Sequence, residues 1–307
     1  MSENGRGAIN FCGLKLAHPV LNGSGTFDAI AGQKVFGPAL LERFPFAAFV
    51  TKTVTLEPRQ GNPPPRLWEL AGGLLNSIGL PNKGLQGFLE SDLPQLKNLP
   101  VPLIVNVMGA SSREFTKLVE AVAAREEVAA LELNVSCPNV KTGLDIGAAP
   151  RPLRDLVRRV RPLTKKPLIV KLTPNTTDVA ATARAAEEGG ADAVSLINTL
   201  RGMALAPGTD EPWLGGVTGG VSGPAIRAVA LAQVYAVRRA VSIPIVGMGG
   251  VQSGRDALNL LKAGADVIAV GSENFRNPAA GSRIAAELAS LRPARQEFPQ
   301  TAVFSAG

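Results

Sequence analysis

The chain has 307 residues, of which 45% are hydrophobic and 19% charged, a balance that fits a soluble globular fold and excludes a disordered chain. Net charge is +7, but aromatics are only 5% with a single Tyr, so base stacking on nucleic acid is poorly supplied. Two cysteines, Cys12 and Cys137, exclude a disulfide framework and a Cys-rich metal centre.

The first ten residues, "MSENGRGAIN", hold no apolar signal core. The only histidine, His18, precedes Pro19 at the start of the first apolar run and reads as structural. From there a short apolar run, a polar loop and a helical period alternate along the chain. The runs are "PVLNGS" (19–24), "AAFVTKT" (47–53), "PLIVNVMG" (102–109), "ALELNVSC" (130–137), "PLIVKLTP" (167–174), "AVSLINT" (193–199), "IPIVGMGG" (243–250) and "DVIAVGS" (266–272). Their nearly continuous apolar character predicts parallel strands covered by helices.

Helices are predicted over 111–125, opened by the capping-box pattern "SSRE", and over 150–163, started by Pro150. Others follow over 176–190, 223–240, 253–263 and 276–291. The densest basic run, 151–166, reads as one solvated helix face. No apolar stretch approaches the ~18 residues of a membrane span without a charge or a breaker, so no membrane contact and a cytoplasmic location are expected. Alternating β and α units predict a (β/α)₈ TIM barrel with inserted loops at the C-terminal face of the strands. One domain over 1–307 is expected. A doubly wound sheet is the alternative, but "GMGGVQ" has Gln252 where the dinucleotide fingerprint needs its third glycine. Two long loops, 54–81 and 199–222, read as functional.

In such a barrel the chemistry lies at the strand ends. Those ends hold Ser24, Thr51, Lys52, Thr53, Asn106, Asn134, Ser136, Cys137, Lys171, Asn198, Thr199, Gly249, Gly250, Gly271 and Ser272. A lysine inside a strand is costly to bury without an anionic partner. The glycines after the seventh and eighth strands sit where barrels cradle phosphate. Together they suggest a phosphate-bearing cofactor. Flavin mononucleotide (FMN) fits, with Lys171 placed to stabilise the charge of the reduced ring. No metal site is expected.

The motifs "NVSCPNV", "TKTVT", "GNPPPR", "LNSIGLPN", "NVMG", "VKLTPN", "NTLRGMA", "GGVSGPAIR", "GMGGVQSGRDAL" and "AVGS-NF" resemble class 1 dihydroorotate dehydrogenases, from about residue 7 to about residue 290. Within that class "NTLRGMA" and "SCPNVKTG" look more like the NAD-linked 1B catalytic subunit than the fumarate-linked 1A type. The resemblance implies oxidation of (S)-dihydroorotate to orotate in pyrimidine biosynthesis. Cys137 is then the base for the C5 proton, and the C6 hydride passes to flavin N5. Lys52, Asn76, Ser77, Ile78, Gly79, Leu80, Asn134, Asn198 and Thr199 would hold the substrate. Ser24, Lys52, Thr53, Asn106, Asn134, Lys171, Ile197, Gly223, Gly249, Gly250, Gly271 and Ser272 would hold FMN. It also implies a homodimer joined to an iron–sulfur, FAD-containing electron-transfer subunit in a heterotetramer.

Two stretches depart from the family pattern: "GLDIGAAP" (143–150), and "GSENF" (271–275), where Glu273 adds a negative charge. The competing expectations are a fumarate-dependent 1A-like enzyme, another FMN barrel acting on dihydropyrimidines, and a phosphate-binding barrel without chemistry.

Overall fold

The structure, a computed structural model, describes residues 8–136 and 146–291. Eight strands form the central sheet: β1 (Val20–Asn22), β2 (Phe49–Val50), β3 (Leu103–Val107), β4 (Ala130–Asn134), β5 (Leu168–Lys171), β6 (Ala193–Leu196), β7 (Ile245–Met248) and β8 (Val267–Val270). Their order is β1-β8-β7-β6-β5-β4-β3-β2, and every neighbouring pair is parallel. The two end strands approach each other and nearly close the barrel. The Ala47 amide donates to Val20 O at 2.9 Å. Asn22 does the rest with its side chain: Nδ2 donates to Val50 O and Oδ1 accepts from Val50 N, each at 2.8 Å. The expected (β/α)₈ barrel is the observed fold.

Alternation along each strand separates two apolar layers. Ile104, Ala130, Ile169, Ala193, Val246 and Val267 fill the lumen, and Phe11 and Leu16 from the hairpin Ile9–Phe11/Leu14–Leu16 belong to the same cluster. Their neighbours Val105, Leu131, Val170 and Val194 face outward into the layer shared with the helices. Burying each such side chain contributes about 1.5–3 kcal/mol.

The helices start where their caps are. The helix Ser112–Ala123 follows Ser111, whose hydroxyl accepts from Glu114 N, and Glu114 Oε2 accepts from Ala110 N. Pro150 opens Pro150–Val160. Asp178 caps Val179–Glu188, which therefore begins three residues later than the sequence predicts. Ser253 caps Gly254–Ala263, and left-handed Gly264 (φ 115°) ends it. Over 223–240 the helix proper is Arg227–Arg238, after a tight turn at Pro224–Ile226. The last predicted helix, 276–291, begins instead at Ala280, behind the short helix Glu273–Arg276, because Asn277 Oδ1 accepts from Ala279 N and restarts the chain there. Helices Ala29–Phe36 and Pro38–Glu42, and the helical run from Gly84 to Leu96, have no counterpart in the sequence reading. No helix among the described residues is long and apolar enough to cross a membrane.

The two long loops are not loose. They pair into an antiparallel sheet in the order Leu200–Gly202, Gly219–Ser222, Gly73–Asn76, Leu67–Leu70. Trp68 and Trp213, one from each loop, meet edge to face at 5.0 Å.

Candidate active site

Two chains of polar side chains cross the C-terminal end of the barrel. The lower one runs from β2 to β5. The Thr51 hydroxyl accepts from Asn106 N at 3.1 Å. Asn106 Nδ2 donates to Glu132 Oε1 at 3.1 Å, and Lys171 Nζ lies 4.0 Å from the same oxygen. Asn106, Glu132 and Lys171 are all buried. Strand parity explains their meeting. Ile104 and Asn106, Ala130 and Glu132, and Ile169 and Lys171 are two apart, so each polar group stands one step above an apolar lumen residue.

The upper chain links β2, β4 and β6. Asn134 Nδ2 donates to Thr53 Oγ1 at 3.2 Å. Its Oδ1 accepts from the Ser136 hydroxyl at 2.7 Å, and Asn198 Nδ2 donates a short bond to Ser136 Oγ. Asn198 Oδ1 in turn accepts from Thr199 N at 2.9 Å. The second sheet joins the same network. Asn76 Nδ2 donates to Gly220 O at 3.2 Å, and a Cβ at Gly220 would collide with the Thr199 side chain. Beside it Asn62 Nδ2 donates to Ser77 Oγ at 2.8 Å, and Asn62 N to Ile78 O at 3.1 Å. Gly79 (φ 77°) has no room for a side chain against Asn62, and Leu80 holds φ 56° with its carbonyl accepting from Asn82 Nδ2.

The expected phosphate cradle is also brought together. A Cβ at Gly223 (φ 90°) would stand 3.7 Å from Ser272 Oγ, and one at Gly250 (φ 71°) would stand 3.0 Å from Gly223 O. Gly249 packs against Ile197. A Cβ at Gly271 would meet nothing within 4 Å, so the loop opens onto free space there. Ser24 Oγ donates to Thr51 O at 2.8 Å at the other side of the mouth. Glu273 is neutralised within the protein: Arg283 lies 3.1 Å away, Arg276 3.9 Å, and Gln252 Nε2 donates to it at 3.1 Å.

The two lysines part company. Lys171 is buried, but its anionic partner is Glu132 of the same chain, not only a prospective ligand. Lys52 is exposed at the mouth instead of buried in a strand. Protein around its stem still lowers its pKa through desolvation, with Asp28 opposing and Arg66 assisting. Burial also pushes the Glu132 carboxyl above its ordinary range, while Lys171, Asn106 and Ser195 pull it back. His18 is half-buried, accepts from Val20 N at 3.3 Å through Nδ1, and has its pKa lowered by desolvation, in keeping with a structural role. The Cys12 thiol is pushed up to about 12 by burial and by Asp192 and Asp266, and donates to Asp192 O at 3.4 Å. Cys137, the expected base, lies outside the described residues.

A sequence model of the family described as dihydroorotate dehydrogenase matches residues 7–291. The chain belongs to the dihydroorotate dehydrogenase family. It is 45% identical over 282 residues to the protein of Geobacter metallireducens named dihydroorotate dehydrogenase B (NAD(+)), catalytic subunit, covering 92% of this chain and 91% of that one. The protein of the same name from Pelobacter propionicus is 46% identical over 278 residues, 90% of each chain. That from Desulforudis audaxviator is 44% identical over 282 residues, 92% and 91%.

For a dihydroorotate dehydrogenase chain, the polar floor holds one residue that the sequence reading passed over. Glu132 sits in "ALELN", and the signal was there: an acid in the middle of an apolar strand, two residues before Asn134 and so on the same side. Asn22, Asn62 and Ser195 carry no such signal, because a single polar residue near a strand or loop end reads equally well as a turn former.

Proposed function

We propose that this chain is the catalytic subunit of an NAD-linked dihydroorotate dehydrogenase, a single-domain cytoplasmic enzyme that oxidises (S)-dihydroorotate to orotate. The observation that carries this is the polar end of the barrel, in a chain 44–46% identical over about nine-tenths of its length to proteins of that name. The residues fit FMN on the geometry alone. Asn106 Oδ1 is buried and has no hydrogen-bond partner among the described residues, and the glycines at 223, 249, 250 and 271 leave backbone open beside Ser272. Ser24, Lys52, Thr53, Asn106, Asn134, Lys171, Ile197 and that glycine loop would hold the cofactor. Bound FMN supplies a hydride acceptor at N5.

The remaining work falls to the chain. The exposed Lys52 ammonium attracts the orotate carboxylate. Asn76, Asn134 and Asn198 offer both donor and acceptor edges to a pyrimidine without adding charge, and Thr199 and the 77–80 backbone flank them. Cys137 takes the C5 proton as the C6 hydride leaves. A free thiol near pKa 8.5 is mostly protonated at neutral pH, so a neighbouring cation that favours the thiolate assists it. Lys52 and the asparagine N–H donors at the mouth are assigned that part. Electrons then pass to an iron–sulfur, FAD-containing partner subunit that reduces NAD, in a heterotetramer built on a homodimer of this chain.

The test is a visible spectrum of the purified chain under anaerobic conditions, before and after dihydroorotate. Bleaching of a yellow flavin band is expected. A yellow protein that bleaches with dihydrouracil but not dihydroorotate would overturn the substrate, and a colourless one the cofactor. Full-rate NAD reduction by the isolated chain would remove the partner, and fumarate as efficient acceptor would move the chain to the 1A-like alternative.

A further inference from the structure

One acid at the site has no part in the chemistry above. Glu132 is 3% exposed and Lys171 5%. Two donors turn toward that carboxylate: the Asn106 amide at 3.1 Å and the Lys171 ammonium at 4.0 Å. Only an acceptor-only group suits such company, and a carboxylate is one. Directly below, the lumen is apolar.

A buried ion pair is a poor device for stability, since a well-packed apolar pair of similar volume often does as well or better. Its place suggests another use. Asn134 stands two residues along the same strand on the same side, tied to Thr53 and, through Ser136, to Asn198. The Glu132 layer is thus the floor on which the mouth of the site rests. It also leaves Asn106 Oδ1 without a hydrogen-bond partner among the described residues.

We propose that Glu132 is a positioning residue for the flavin pocket: it fixes the Lys171 ammonium and the Asn106 amide at the pocket floor, and its charge sets how strongly Lys171 favours reduced over oxidised flavin. This rests on the FMN reading above. A lone cation at the floor stabilises the anionic reduced ring, and a carboxylate 4.0 Å from that cation offsets it. The offset holds the flavin within reach of both its electron donor and its acceptor.

The experiment is a potentiometric titration of the FMN-loaded full chain, with FMN dissociation constants measured alongside. In Glu132→Gln the Lys171 charge is no longer balanced. Reduced flavin should be favoured about tenfold more than in the wild type, an upward shift of roughly 30 mV for a two-electron couple. A potential that stays put or falls would overturn the inference. Should that variant fail to fold, the double variant Glu132→Gln with Lys171→Met removes both charges. Its potential should lie below the wild-type value, because no cation remains, and a wild-type potential there overturns the inference too. A wild-type chain that holds no flavin would defeat the FMN reading and this inference together. A yellow chain whose potential ignores Glu132 defeats the inference alone.

Discussion

A proton-transfer base must be able to give up its own proton first, and the two cysteines of this chain differ on that point. Cys12 has its thiol pushed up to about 12 by burial and two aspartates, so at neutral pH it stays protonated. It belongs to the hairpin that covers the other end of the barrel. That leaves Cys137, three residues past the Asn134 and one past the Ser136 that tie β4 to β2 and β6. Cys137→Ala should keep its flavin and lose about 10²–10⁴-fold in the rate of flavin reduction by dihydroorotate, the usual worth of a general base. Anaerobic stopped-flow spectroscopy reads that rate directly. A wild-type rate in the variant would take the role away from Cys137.

At the scale of elements, the packing of the last two barrel helices turns on one carboxylate. Glu287 Oε2, on Ala280–Leu291, accepts from Gly254 N at 2.6 Å at the start of Gly254–Ala263, and its other oxygen takes Arg283 at 2.8 Å. The backbone bond first and the Arg283 bond second hold its pKa below the ordinary 4.5. A depressed carboxyl stabilises the fold fully above its unfolded pKa, and the contribution is lost as pH falls through the lower folded value. Glu287→Gln should therefore be less stable than the wild type at pH 7 by ~0.2–1 kcal/mol, the discounted worth of a partly exposed pair. The gap should close as pH falls from above the ordinary 4.5 down through the lower folded value, since protonated Glu and Gln are then alike. Urea titrations at several pH values measure it, and a gap independent of pH would refute the assignment. The starts of two other helices were legible in the sequence, as Ser111 and Pro150 show. The second sheet was not. Leu67–Leu70 pairs only with residues that follow it closely, but Gly73–Asn76 pairs with Gly219–Ser222, and no local period announces a partner so far along the chain.

For the whole molecule, eight apolar runs were enough to read the barrel, because parallel strands buried on both faces need no partner-specific signal. The polar residues at the site were readable as types, since they fall at strand ends. Which of them touch was not, because contact depends on the stagger between strands. Glu132 and Lys171 meet only because β4 and β5 pair Asn134 with Lys171, one inward step above Glu132. The seam between β1 and β2 is the same kind of fact. A closed barrel leaves no sheet edge, yet here the last join rests on one backbone bond, from Ala47 to Val20, and on one side chain. Asn22 is fully buried and completes both backbone bonds of Val50. Asn22→Leu would keep the volume and leave a buried N–H and C=O unpaired, at about 1–3 kcal/mol each. A loss of ~2–5 kcal/mol in urea unfolding is expected, with a midpoint shift and an unchanged slope. The Val50 amide should also lose protection from hydrogen exchange more than the amides of β4 and β5, which are paired by backbone on both sides. If Val50 exchanged no faster than before, the seam would be held by backbone alone, and Asn22 would serve only the loop at Gly23 and Ser24 that opens the site.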